Sequence, residues 1–167
     1  DTDVIITGSM GGLLAMEHLP ASCQKLVLIS STAKFCSDDD YPHGTPPNTL
    51  RRMIRQMTSS PDAVLRAFYK NVHDPQPACK TDPDCPSSEL ILGLDYLLTT
   101  DLRSLVPTLQ LPTLLIHGLQ DRIIPPTASE WMHNQLPHSE LHFLENGGHA
   151  LPAHQFNVVM DTIRQFL

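Results

Sequence analysis

Residues 25–30 (KLVLIS) and 112–117 (PTLLIH) are short, near-continuous apolar runs. Such runs read as strands buried on both faces, as in a parallel sheet with helices on either side. The neighbouring segments fit that plan. Residues 3–6 read as a short buried strand. Residues 10–19 read as a helix carrying Leu13, Leu14 and Met16, stopped by Pro20. Together they make a strand–helix–strand unit. The alternation resumes late in the chain, with a helix over 127–136 and a strand over 140–144 (ELHFL). That strand ends at Glu145-Asn146-Gly147-Gly148. A last helix starts at Pro152, with Phe156, Val159, Met160, Ile163, Phe166 and Leu167 on one face. The expected fold class is α/β with a mostly parallel sheet.

Between residues 32 and 100 the character changes. Pro and Asp are frequent, and no strand signal appears. Three helical stretches are expected instead. The first follows Thr45-Pro46-Pro47, read as cap and first turn, and carries Leu50, Met53, Ile54 and Met57. The second opens at Ser60-Pro61-Asp62 and carries Val64, Leu65, Phe68 and Val72. The third opens at Ser87 or Ser88 and carries Leu90, Ile91, Leu94, Leu97 and Leu98. A helical block between strands of one sheet reads as an inserted cap. The expected organisation is core over 1–31, helical cap over 32–100 and core again over 101–167.

Bulk properties narrow the function. The 167 residues suffice for one domain with a real core. A formal charge of −7 argues against nucleic acid as a partner. No apolar run approaches the ~18 residues that span a membrane. The chain starts at Asp1, so a signal or transit peptide would not be visible in it. Cys23, Cys36, Cys79 and Cys85 form no CxxC pair, which speaks against a zinc site. Cys79 and Cys85 could close a small disulfide, although free thiols in a reducing cytoplasm are the preferred reading. Arg51, Arg52, Arg55, Arg66 and Lys70 fall in a stretch whose only acid is Asp62. That stretch is either a solvated helical face or a docking patch for an acidic partner.

The chemistry centres on Thr7-Gly8-Ser9-Met10-Gly11-Gly12, a turn between strand and helix. A hydroxyl needs a neighbouring base to act as a nucleophile, and the base needs an anion to fix its tautomer. Asp121 follows the 112–117 strand, within GLQDRIIP. His149 follows the 140–144 strand, within GGHA. All three candidates therefore lie after strands, and loops at the carboxyl ends of parallel strands share one sheet edge. Met10 would give a backbone N–H to the oxyanion of a tetrahedral intermediate. Losing one such donor costs on the order of 3–4 kcal/mol. Asp101 is a helix-cap candidate and the second choice for the acid. His117 is expected to pack beneath the site. His18, His43, His73, His133, His138, His142 and His154 have no paired context and read as surface or structural.

With these residues in view, the chain resembles the α/β-hydrolase superfamily from its nucleophile elbow onward. Within it the chain is most similar to the pimeloyl-[acyl-carrier protein] methyl ester esterases of biotin synthesis. The resemblance is carried by GSMGGLLA, by LVLISSTAKFC running into DDDYPHG, by GLDYLLTTDLR, and by PTLLIHGLQDRIIPP with ENGGHALP. It implies Ser9 as nucleophile, His149 as general base, Asp121 as its orienter and Met10 as oxyanion donor. It implies no cofactor or metal, a monomer and a cytoplasmic location. It also implies an acyl-chain contact at Phe68 and a carrier-protein docking role for the region of Arg51, Arg52, Arg55 and Arg66. Two departures stand out. Thr7 occupies the place where the family usually has Gly, which implies local adjustment where strand meets helix. The early strands and the second oxyanion donor are expected upstream of Asp1, so the chain reads as an N-terminally truncated fragment. The alternatives are a small-ester or C–C bond hydrolase of the same superfamily, or a catalytically incomplete binding fragment.

Overall fold

The computed structural model describes residues 3–77 and 86–167. Cys79 and Cys85, whose pairing the sequence left as the lesser alternative to free thiols, lie outside the described residues. Four strands, β1 (Val4–Gly8), β2 (Lys25–Ile29), β3 (Thr113–Gly118) and β4 (Ser139–Leu144), form one sheet in the order β1-β2-β3-β4. Every neighbouring pair is parallel, with Val4 opposite Lys25, Leu26 opposite Thr113 and Thr113 opposite Ser139.

Successive residues of a strand point to opposite faces, and both faces of β2 and β3 are covered. Leu26, Leu28 and Leu115 pack with Leu13 and Met16 of α1 (Met10–Glu17) and Met132 of α5 (Thr127–Gln135). Val27, Ile29, Leu114 and Ile116 pack on the other side with Leu151 of α6 (Leu151–His154) and Val159 and Ile163 of α7 (Phe156–Phe166). This two-sided burial is why residues 26–29 (LVLI) and 114–116 (LLI) are apolar throughout. β1 differs from the expectation of a buried strand. It is the outer strand of the sheet among the described residues, and Ile6 is 49% exposed.

The final helix is also not continuous. It breaks at Gln155, whose φ of −130° and ψ of 37° are not helical, so α6 and α7 are separate. Pro152 sits within the first turn of α6, as its missing N–H allows.

The middle of the chain forms α2 (Pro47–Ser59), α3 (Pro61–His73) and α4 (Ser87–Thr99), with α2 packed on both α3 and α4. Leu50 of α2 and Leu94, Leu97 and Leu98 of α4 meet Phe35, Ile123, Ile124 and Ala128 of the core. The Thr45 hydroxyl does not cap α2. It donates instead to the Ile123 carbonyl, tying the entry of α2 to the loop after β3.

Candidate active site

Ser9 stands between β1 and α1 with φ 52° and ψ −130°. Positive φ in a residue other than Gly is uncommon and costs of order 1–3 kcal/mol. The bend is held by its neighbours: the Ser9 N–H donates to the Ile29 carbonyl at 2.9 Å, and the Ser31 hydroxyl donates to the Ser9 carbonyl at 2.9 Å. Thr7 and Gly11 face each other across this turn. A side chain at position 11 would collide with the Thr7 hydroxyl. The threonine thus occupies space that the missing side chain of Gly11 leaves open, which is the adjustment its β-branched shape requires.

The Ser9 hydroxyl lies 2.9 Å from His149 Nε2, and His149 Nδ1 lies 2.8 Å from Asp121 Oδ2. Three residues far apart in sequence are therefore joined in one hydrogen-bonded line. The loops that carry them are tied together: the Gln120 N–H donates to the Gly147 carbonyl at 2.8 Å. Asp121 and His149 are each 8% exposed. Nδ1 donates to the carboxylate, which leaves Nε2 free to accept from the Ser9 hydroxyl.

Burial alone would push the Asp121 carboxyl up, but hydrogen bonds from His117 and His149 outweigh it and hold the group well below the usual carboxylate range. Asp121 Oδ1 also accepts the backbone N–H groups of Ile123 at 2.7 Å and Ile124 at 3.0 Å. The acid is thus kept ionised in a site that excludes most water. Asp101, the second choice for the acid, is elsewhere. It pairs with Arg103 at 2.7 Å and Lys34 at 3.0 Å, and those bonds, Arg103 first, hold its carboxyl low.

Met10 opens α1, so its N–H belongs to the first turn, where backbone donors have no intrahelical partner. A cavity of about 580 Å³ runs from Ser9 under the middle helices, lined by Leu50, Met53, Val64, Phe68 and Leu97 among others. Phe68, the acyl contact that the resemblance implied, is among its lining residues. Arg52 also lines this cavity, and Arg51, Arg55 and Arg66 are exposed on α2 and α3.

His117 packs beneath the site as expected, fully buried against Asp121. Other contacts escaped the sequence reading. His73 and His154, taken as unpaired, are bonded to each other at 2.8 Å between Nδ1 and Nε2. This pair joins α3 to α6. Beside it the Ala150 N–H donates to the Val72 carbonyl at 3.1 Å, and Arg122 pairs with Asp74 at 2.9 Å. Gly148 leaves no room for a side chain against the Asp74 carbonyl. The end of α3 therefore presses directly on the loop that carries His149. Sequence spacing offers no signal for a contact of this range. Among the described residues no group of three or more His, Cys, Asp or Glu is arranged to hold a metal ion. No described helix is long and apolar enough to cross a membrane.

With the elbow and the three-residue line in place, the comparisons become decisive. A model described as the alpha/beta hydrolase family matches residues 1–160. The chain belongs to the alpha/beta hydrolase family. Its curated relatives include the pimeloyl-[acyl-carrier protein] methyl ester esterase of Nitrosospira multiformis, 32% identical over 89% of this chain and 62% of that protein. The protein of the same name from Nitrosomonas europaea is 31% identical over 85% of this chain and 62% of its own length. The chain thus spans somewhat under two thirds of these relatives. Among solved structures, an esterase from Exiguobacterium antarcticum superposes with a TM-score of 0.85 at 23% identity, covering 99% of this chain and 65% of the other. A bromoperoxidase from Bacillus anthracis superposes at 0.79 with 21% identity, covering 98% and 66%. At these identities the likeness shows the fold.

Proposed function

We propose that this chain carries the nucleophile, base and acid of a serine carboxylic-ester hydrolase, with the cap helices over 32–100 enclosing its acyl chain. The observation that carries the reading is the unbroken line from the Ser9 hydroxyl through His149 to the buried Asp121 carboxylate. His149 Nε2 takes the Ser9 proton as the oxygen attacks the ester carbonyl. Asp121 stabilises the imidazolium that forms. The Met10 N–H, at the helix start, holds the developing oxyanion. His149 returns its proton to the leaving alkoxide, which departs as an alcohol and leaves Ser9 acylated. A water activated by the same histidine then hydrolyses the acyl-enzyme.

The substrate favoured is the methyl ester of pimeloyl-[acyl-carrier protein], with methanol leaving first. The names of the curated relatives support this choice. So do the apolar cavity at Ser9, in which Phe68 contacts the acyl chain, and the exposed cations Arg51, Arg52, Arg55 and Arg66, suited to an acidic carrier protein. The reading needs no cofactor and takes the protein as a cytoplasmic monomer. The free thiols of Cys23 and Cys36 accord with a reducing compartment.

The test is treatment of the intact protein and its Ser9→Ala form with a fluorophosphonate probe and a p-nitrophenyl ester. Labelling and turnover should be confined to the unsubstituted protein. Equal labelling or equal turnover in both would overturn the serine mechanism.

A further inference from the structure

We propose that His117 is a positioning residue for the acid of this site: it holds the Asp121 carboxylate in line with His149 and tempers that carboxylate's pull on the His149 imidazole. The inference rests on the roles of Ser9, His149 and Asp121 proposed above. His117 lies at the end of β3 and is 0% exposed, with both ring nitrogens engaged. Nε2 lies 3.2 Å from Asp121 Oδ2 and 3.0 Å from the Ile124 carbonyl oxygen. Both oxygens only accept, so Nε2 carries the proton. Nδ1 lies 2.6 Å from the Ser129 hydroxyl of α5, which donates to it. The neutral Nε2–H tautomer is thus set from both ends of the ring.

A carboxylate offers about four lone-pair sites. Here Oδ1 takes the N–H groups of Ile123 and Ile124, and Oδ2 takes His149 Nδ1–H with His117 Nε2 3.2 Å away, its one proton shared between Oδ2 and the Ile124 carbonyl. His117 thus stands against the last open side of the carboxylate. A merely buried imidazole would be satisfied by Ser129 and the Ile124 carbonyl alone. The approach to Oδ2 is additional, and it is made to the same oxygen that His149 uses. An oxygen approached by a second N–H draws less strongly on the first, so the carboxylate's pull on the His149 imidazolium is moderated.

Among the described residues, the titratable groups facing His117 are Asp121 and, across that carboxylate, His149. From α5 it meets the Ser129 hydroxyl, and its register partner on β4 is Phe143. Its neighbour in β3, Ile116, pairs with Ile29 of β2.

Two substitutions separate the functions of the ring. Glutamine sets an amide N–H near the place of Nε2, whereas asparagine reaches the place of Nδ1 and leaves Oδ2 to His149 alone. His117→Asn should move the acidic limb of the kcat/KM profile to higher pH. It should lower kcat on the order of tenfold, less than the ~10²-fold that a 1 Å misplacement can cost, with KM little changed. His117→Gln should keep the acidic limb of the unsubstituted protein whatever it costs in stability. Acidic limbs that coincide in all three proteins, or that move together in both variants, would overturn the inference.

If His117→Asn does not fold, nitrogen NMR of the unsubstituted protein decides. His117 should remain the neutral Nε2–H tautomer and its Nε2 signal should move as His149 titrates. An Nδ1–H tautomer, or a signal indifferent to that titration, would overturn the proposal. Absence of fluorophosphonate labelling at Ser9 in the unsubstituted protein would instead overturn the catalytic reading beneath it.

Discussion

Asp121 concentrates more of the site's energetics than any other side chain. Its three accepted hydrogen bonds and the nearby His117 Nε2–H are what make an ionised carboxylate tolerable at 8% exposure. Asparagine at this position must set its NH₂ either against the imidazole donors or against the backbone donors of Ile123 and Ile124. Asp121→Asn should therefore force His149 into the other tautomer and lower kcat on the order of 10⁴-fold with little change in KM. A fall of less than about tenfold would contradict the assignment of the acid. The same carboxylate carries a pH signature. Its folded-state pKa is depressed, so the unfolded chain binds more protons and stability rises with pH. The contribution is present above the ordinary aspartate value of about 4 and is lost as pH falls below it. Urea unfolding should show the stability gap between the unsubstituted protein and Asp121→Asn shrinking from about pH 5 toward pH 3. A gap constant with pH would count against this account.

At the scale of elements, the elbow and the end of α3 do most to shape the site. Thr7 and Gly11 share one volume between β1 and α1. Gly11→Ala should destabilise the fold by roughly 1–3 kcal/mol through overpacking. Thr7→Ala should recover much of that loss, and a double-mutant cycle by chemical denaturation measures the coupling. Additive effects would mean that the two residues do not share the space. The end of α3 presents a pH-dependent contact. Burial first, then the charge of His154, lowers the pKa of His73. The folded state thus resists protonation, and this contact weakens as pH falls below about 6.5. Hydrogen exchange at the end of α3, corrected for intrinsic rates, should accelerate between about pH 7.5 and pH 5.5, and less so in His154→Gln. Equal acceleration in both would exclude the histidine pair as the cause.

These elements also show what the sequence could and could not disclose. β2 and β3 were legible because burial on both faces demands continuous apolar runs. The three middle helices were legible from apolar spacing, helped in the first two by Pro at the start. Ser9, Asp121 and His149 were legible because each follows a strand of one parallel sheet. The break at Gln155 was not, because a four-residue helix followed by another carries the same apolar period as one helix. The roles of His73, His117 and His154 were not, because their partners are set by tertiary packing across many residues.

On the scale of the whole molecule, the proposed reading divides recognition between charge and cavity. The proposed ester chemistry lies at the carboxyl edge of the sheet, while the middle helices carry an apolar cavity and exposed cations. Reversing the charges of Arg51, Arg52 and Arg55 should raise KM for an ester borne on acyl carrier protein and leave a free short ester unaffected. The carrier-bound effect should shrink as salt rises. Equal responses of the two substrates would refute the docking role. The central claim is that Ser9 is a nucleophile activated by His149. It is tested most directly by locating the adduct that a p-nitrophenyl phosphate triester leaves on the intact protein. The account predicts one phosphoryl group, found by mass spectrometry on the peptide containing Ser9, and its loss in His149→Ala. An adduct on another residue, or one formed as fast without His149, would contradict it.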